Sequence, residues 1–279
     1  MPSLNNQPWN PARVPKISWQ KNDTPFSLES GDIYFSKTDG VNESLYYFLN
    51  NNNLPKRWQS FSRDRFYIGE LGFGSGLNFL VTWLIWSKAP KPKPRLSYYT
   101  VDLHPMLLKD LEKAVRKYPE LSGFADQLIE KYPPPIKGPH RIIFDEGNIN
   151  LDLWWSSAED MADNLASYEI PFVDAWYLDG FAPKLNPSMW SPRLIKSIAR
   201  CSRIDASFGT FSSAGNIRRT LDEAGFKVEK VPGFNKKRDC CRGKLLRRPE
   251  EKPELVPWDL YEDRETKYSK AIVLGAGLA

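Results

Sequence analysis

Phe66-Tyr-Ile-Gly-Glu-Leu-Gly-Phe-Gly-Ser-Gly-Leu-Asn78 passes from a short apolar run into three glycines at alternate positions, then into a second apolar run that ends at Trp86. The first run, 66–70, reads as a buried strand; the second, 77–86, has the length and apolar content of a helix. Gly72, Gly74 and Gly76 let the backbone turn sharply between the two and let a ligand approach the main chain. Strand, glycine turn and helix in that order open a parallel α/β sheet.

Toward the C-terminus the alternation continues. After the Pro-Lys segment 89–95 comes a strand at 96–101 closed by Asp102, then a helix at 105–117 whose Leu107, Leu108, Leu111 and Val115 share one face. Tyr132-Pro-Pro-Pro135 is a loop, and 141–144 and 151–155 are strand candidates. A strand at 172–178 runs into Asp179-Gly-Phe-Ala-Pro183; then 192–200 is a helix, 207–211 a strand, 215–224 a helix and 226–231 a strand. This order predicts a mostly parallel sheet with helices on both faces. Residues 1–60 read as an irregular arm packed on that core, with a short strand at 32–36 and an apolar patch, Leu45-Tyr-Tyr-Phe-Leu49. The main domain is expected over 61–248 and a linker over 249–269. Lys270-Ala-Ile-Val-Leu-Gly-Ala-Gly-Leu-Ala279 reads as the start of a dinucleotide-binding domain cut before its third glycine.

The 279 residues are 41% hydrophobic and 26% charged, with 10 Trp, 12 Tyr and 15 Phe, which excludes fibrous and disordered classes. No apolar run approaches the about 18 residues of a membrane helix, and the N-terminus lacks a signal-peptide core. A soluble, cytoplasmic protein is expected. Cys201, Cys240 and Cys241 make neither a disulfide framework nor a Cys-x-x-Cys pair, and His104 and His140 are too few for a histidine metal site or a Ser-His-Asp triad. No metal is expected. The net charge is +5, but residues 193–248 hold 15 Lys and Arg against 5 Asp and Glu, or +10, which leaves 24 against 29, or −5, elsewhere. Such a block is the footprint of a polyanion partner or a solvated basic face.

A nicotinamide fingerprint would place its third glycine at 77, where Leu77 stands. An acidic residue followed by Gly-x-Gly-x-Gly is the pattern of S-adenosylmethionine (SAM) sites, where Glu70 and main-chain groups answer the sulfonium and amino acid moiety. Asp102, at the end of the second strand, is set to accept from the ribose hydroxyls. Glu70, Asp102 and Asp179 should all sit at the carboxyl ends of strands, where open α/β sheets bind ligands. Asp179, in its Gly-aromatic-x-Pro loop, can orient an amine and accept its proton. Phe181 and Trp190 are candidates either to stack on a base or to fill the core.

Glu70-Leu-Gly-Phe-Gly-Ser-Gly-Leu-Asn-Phe79, Trp176-Tyr-Leu-Asp-Gly-Phe-Ala-Pro183, Asn186-Pro-Ser-Met-Trp190, Phe211-Ser-Ser-Ala-Gly215, Arg218-Arg219 and Gly233-Phe-Asn-Lys-Lys-Arg238 occur in one order. Together they resemble the methyltransferase half of the bifunctional tRNA 5-methylaminomethyl-2-thiouridine biosynthesis family, over roughly residues 20–248. The resemblance implies a Rossmann-like class I SAM-dependent methyltransferase fold. It also implies N-methylation of the 5-aminomethyl group of 5-aminomethyl-2-thiouridine at the wobble position, with the tRNA anticodon stem-loop as partner. By matching motifs, Glu70, Gly72, Phe73, Gly74, Gly76, Asn78, Asp102 and Ser157 take the cofactor role and Asp179 the catalytic one. Phe181, Pro183, Trp190, Arg218, Arg219, Lys236, Lys237 and Arg238 take the substrate role. FAD would belong only to a protein continuing past Ala279. Ser156-Ser157 stands where the family has Gly-Asp, so a carboxylate toward the adenine is absent, and Cys240-Cys241 replaces an acidic and an apolar residue. The residues alone leave open an amine methyltransferase for a small molecule or protein, and an RNA-binding module with a decayed SAM site.

Overall fold

The computed structural model describes residues 10–249 apart from 22, 36–38, 169, 182–184 and 236–238. The chain begins with a small antiparallel meander of β1 (Ile17–Gln20), β2 (Thr24–Ser27) and β3 (Asp32–Ile33). Next come α1 (Gly40–Ser44), a π-helical segment Leu45–Asn50 and α2 (Leu54–Gln59). The alternating part runs β4 (Arg65–Leu71), α3 (Leu77–Lys88), β5 (Arg95–Val101), α4 (Leu108–Val115), α5 (Ser122–Lys131), β6 (Gly138–Phe144), β7 (Ile149–Trp155) and α6 (Ala158–Ala166). It continues with β8 (Val173–Leu178), α7 (Pro192–Cys201), β9 (Ser202–Thr210), α8 (Gly215–Glu223), β10 (Phe226–Pro232) and β11 (Asp239–Leu245).

Among the described residues the main sheet has the order β10-β11-β9-β8-β4-β5-β7-β6. The pairs from β9 through β8, β4 and β5 to β7 are parallel, whereas β6 at one edge and β11 and β10 at the other are antiparallel. β8 is buried at every position, as a central strand covered on both faces must be. One face packs Phe66, Ile68 and Tyr98 against Phe79 and Leu80 of α3 and Leu128 of α5; the other packs Leu71 and Trp176 against Met161 of α6 and Leu194 and Ile198 of α7. Ser157 caps α6 by accepting from Asp160 N at 3.1 Å, and Ser191 caps α7 by accepting from Leu194 N at 3.1 Å, each satisfying a donor the helix end leaves open. No helix among the described residues is long and apolar enough to cross a membrane.

The segment expected to be an irregular arm is ordered into the core. Tyr47, Phe48, Leu49, Leu54 and Trp58 are buried, and Phe48 stacks on Tyr177 of β8 at 5.1 Å. Asn52 is 1% exposed; it donates to Phe48 O at 2.9 Å and Trp176 O at 3.1 Å, and accepts from Ser207 of β9. Arg57 adds bonds to Ser207 Oγ at 2.6 Å and Asp174 O at 3.0 Å. An Asn52→Leu substitution therefore strands buried polar groups on two strands and a helix, and is expected to lower stability by about 2–4 kcal/mol. Urea unfolding measures it; a loss under about 1 kcal/mol would mean that the helical segment is held by apolar packing alone.

Candidate active site

The two halves of the parallel sheet wind in opposite directions from β4, so a crevice opens at the carboxyl ends of β4 and β8. β4 ends directly in the glycine turn. Gly72 N and Phe73 N both donate to Val101 O of β5, at 3.1 and 2.9 Å, and Gly76 then forms the N-cap of α3. Gly72 has a φ of 86°, and a Cβ on it would lie 3.2 Å from Gly180 Cα, so the turn runs against the backbone that follows Asp179. Gly74 has a φ of 55°; a Cβ there would meet Tyr34 Cδ1 at 3.3 Å.

Asp102 follows β5 and accepts two main-chain bonds, from Gly74 N and His104 N, each at 2.9 Å. Burial pushes its carboxyl up to about 6, against the pull of those two donors. Asp179 follows β8 and accepts from Asn78 Nδ2 at 2.7 Å. The same nitrogen donates to Glu70 Oε1 at 2.9 Å, and Thr100 Oγ1 bonds Glu70 Oε2 at 2.7 Å. Glu70 is 0% exposed, and burial pushes its carboxyl up to about 8; the Thr100 and Asn78 bonds oppose the rise and the Asp179 charge adds to it.

Gly72, Phe73, Gly74, Asn78, Asp102, Ser157, Asp179 and Phe181 line one cavity of about 730 Å³, a size that suits a small-molecule site. Glu29, Asp32, Glu43 and Glu159 join Asp102 and Asp179 on the lining, and no Lys or Arg does among the described residues. A cavity walled by six carboxylates favours a cationic ligand. Among the described residues no group of three His, Cys, Asp or Glu side chains is placed to hold a metal ion.

Several expected site residues fall elsewhere. Glu70 does not line the cavity; it lies behind Asn78, a fully buried carboxyl one residue inside the strand end that accepts from Thr100 and Asn78. Trp190 is 5% exposed and packs edge-on to Phe211 within the apolar layer under α7, so it is a core residue rather than a stacking platform. Arg218 and Arg219 stand on α8 outside the lining; Arg219 is exposed and Arg218 donates to Ser213 O at 3.3 Å. Pro183, Lys236, Lys237, Arg238 and the 270–279 segment lie outside the described residues. The sequence reading missed Tyr34, Phe35, Tyr47 and Phe48, which the N-terminal segment contributes to the lining, and Glu159 in the first turn of α6. Tyr34 meets Phe181 edge-on at 5.3 Å, joining the N-terminal meander to the Asp179 loop. Only the apolar patch at 45–49 and the strand expected at 32–36 hinted that this segment mattered.

Residues 119–245 match the family described as S-adenosyl-L-methionine-dependent methyltransferase. The tRNA 5-methylaminomethyl-2-thiouridine biosynthesis bifunctional protein MnmC of Vibrio campbellii is 38% identical over 269 residues, which are 95% of this chain and 40% of that protein. Its counterpart in Aeromonas hydrophila is 39% identical over 269 residues, again 95% of this chain and 40% of that protein. The chain thus spans about 40% of the length of these relatives. The crystal structure of MNMC2 from Aquifex aeolicus superposes with a TM-score of 0.64 at 22% identity, covering 86% of this chain and 73% of that one. With the strand order above, these matches identify the fold as the Rossmann-like class I SAM-dependent methyltransferase fold.

Proposed function

This chain is homologous to the methyltransferase half of the bifunctional tRNA 5-methylaminomethyl-2-thiouridine biosynthesis proteins, and we propose that it N-methylates the 5-aminomethyl group of 5-aminomethyl-2-thiouridine at the tRNA wobble position. One observation carries the reading: the glycine turn and the Asp179 loop touch, Gly72 against Gly180, so a methyl donor on the first and an amine on the second share one cavity. The residues present fit SAM. Gly72 and Gly74 leave main chain bare where a side chain would intrude, Asp102 presents a carboxylate to a ribose diol, and the acidic lining suits a sulfonium and an ammonium group. When bound there, SAM supplies the methyl group as an activated electrophile.

The protein's own work is alignment and proton removal. A primary amine is largely protonated at neutral pH and attacks only through its lone pair, so it must lose a proton and point along the transfer axis. Asp179 holds the amine by one charge-assisted hydrogen bond and accepts the proton, while Asn78 fixes the carboxylate. Most of the rate gain comes from alignment, since the displacement itself needs no covalent help from the protein. Phe181 offers a ring on which the flipped base can rest, an arrangement available because wobble bases lie in a single-stranded loop. Arg218 and Arg219, with Lys236, Lys237 and Arg238, supply cations for anticodon-stem phosphates. Such a substrate puts the reaction in the cytoplasm.

Two measurements probe this reading. Asp102 serves the ribose only as a carboxylate, so SAM binding should weaken as pH falls through about 6, roughly tenfold per unit below it. Titration calorimetry at pH 7.5 and 5 checks this; equal affinities would remove Asp102 from the cofactor site. Reversing Arg218 and Arg219 to Glu should raise KM for tRNA about tenfold or more, flatten its dependence on salt, and leave SAM affinity unchanged. Turnover that ignores both the reversal and ionic strength would favour a small-molecule or protein amine as substrate.

A further inference from the structure

Asn78 occupies the first turn of α3, where its amide spans two acidic side chains: 2.9 Å to Glu70 Oε1 and 2.7 Å to Asp179 Oδ2. Both partners present acceptor oxygens, so the amide can face them only with its NH2 group, and each of its two hydrogens is committed. The surroundings hold this arrangement rigidly. Thr82 Oγ1, one turn further along α3, donates to Asn78 O at 2.7 Å and bonds the Tyr177 hydroxyl at 2.9 Å, which locks the start of α3 to the strand that delivers Asp179. Glu70, 0% exposed and bonded to Thr100, is the fixed end of the chain. Asn78 and Asp179 line the cavity and Glu70 does not.

We propose that Asn78 is a positioning residue for methyl transfer: its forked amide, anchored on Glu70, fixes the Asp179 carboxylate in the cavity, and Glu70 is the anchor of that amide rather than a ligand of the methyl donor. The inference rests on the reading of Asp179 as the group that orients and deprotonates the amine. Burial raises Glu70 to about 8, so at neutral pH it is mostly neutral, and an anchor that only accepts an amide hydrogen needs no charge.

The test uses Asn78→Asp, nearly the same shape with the donating NH2 removed, and Glu70→Gln, which keeps an oxygen for the Asn78 amide and removes the ionisable group. Asn78→Asp should lower kcat about 10²-fold, the cost of a misdirected reacting group, with the SAM dissociation constant changed by less than about threefold. Glu70→Gln, which still offers an oxygen to the Asn78 amide, should retain about tenfold or more of the kcat that Glu70→Ala loses, with SAM affinity within about threefold. Glu70→Ala should lower kcat as Asn78→Asp does, and the double variant Glu70→Ala, Asn78→Asp should be no worse than either alone, because the two act as one unit. Unaltered kcat in Asn78→Asp would overturn the inference, as would a Glu70→Gln protein that loses SAM affinity. Asp179→Asn run in parallel separates the failures. If Asp179→Asn keeps its turnover, the role of Asp179 is wrong; if it loses turnover while Asn78→Asp keeps it, only the positioning role is wrong.

Discussion

Asp179→Ala is expected to lower kcat for methyl transfer by about 10²–10⁴-fold, the range for losing a proton-transfer group, and to leave SAM affinity within about threefold. Asp179 follows a strand buried at every position and is held by Asn78 at 2.7 Å, so the substitution removes a carboxylate without unseating the sheet. The glycine turn proposed to face the cofactor is built on main-chain bonds from Gly72 and Phe73 to Val101, none of which involves the Asp179 side chain. Asp179→Asn keeps the shape and can still bond an amine but cannot take its proton. An equal loss in both variants assigns the residue to deprotonation, and a milder loss in Asn divides its role between that and orientation. Single-turnover kinetics with saturating SAM separate the two cases. Near-normal turnover in Asp179→Ala would remove the residue from the chemistry.

Gly74→Val should abolish cofactor binding at accessible concentrations, a loss of about 10²-fold or more in affinity, or about 3 kcal/mol at 1.4 kcal/mol per factor of ten. A branched side chain at a φ of 55° is strained by about 1–2 kcal/mol, and its Cβ would press on Tyr34 Cδ1 from 3.3 Å. Relief requires the turn to move, which pulls Gly74 N from Asp102 and disturbs the carboxylate assigned to the ribose. Added methyl groups would also stand where a ligand approaches the main chain. Gly123→Ala is the control: it lies in α5 with nothing within 4 Å of the new Cβ, and should leave SAM affinity unchanged. Calorimetric titration of both proteins checks the pair; wild-type affinity in Gly74→Val would place the cofactor elsewhere.

The parallel half of the sheet was legible because each strand carries its own local signal. Phe66–Glu70, Leu96–Val101 and Phe172–Leu178 are short apolar runs, each closed by a glycine or a carboxylate, and a strand buried on both faces needs no alternation to be recognised. The same locality explains why Asp102 and Asp179 could be set at strand ends. β11 had no such signal. Asp239-Cys-Cys-Arg-Gly-Lys-Leu245 looks polar, yet Cys240, Cys241 and Leu245 are buried because the strand is inserted between β9 and β10. The helices at 122–131 and 158–166 were also missed; only Ala125 and Leu128 are buried in the first, and the second is short and acidic.

The helical part of the N-terminal segment was seen only as an apolar patch at 45–49. What turns that patch into a wall of the cavity is the meeting of Phe48 with Tyr177 and of Asn52 with Trp176 and Ser207, contacts separated by more than a hundred residues. Trp190 shows the opposite case. Its place in a loop after Asp179 left open either a stacking or a core role, and the loop tucks its ring against Phe211 inside the layer under α7. Glu70 was rightly set at the strand end, but only the fold reveals that Asn78 stands between it and the cavity.

The proposed activity passes a methyl group from SAM to one nucleoside amine. The direct measurement is to incubate the purified chain with methyl-labelled SAM and tRNA bearing 5-aminomethyl-2-thiouridine, digest the product to nucleosides and weigh them. The account predicts one labelled methyl on that nucleoside and none on tRNA lacking the aminomethyl group. An unlabelled aminomethyl nucleoside, from a protein shown to bind SAM, would contradict it.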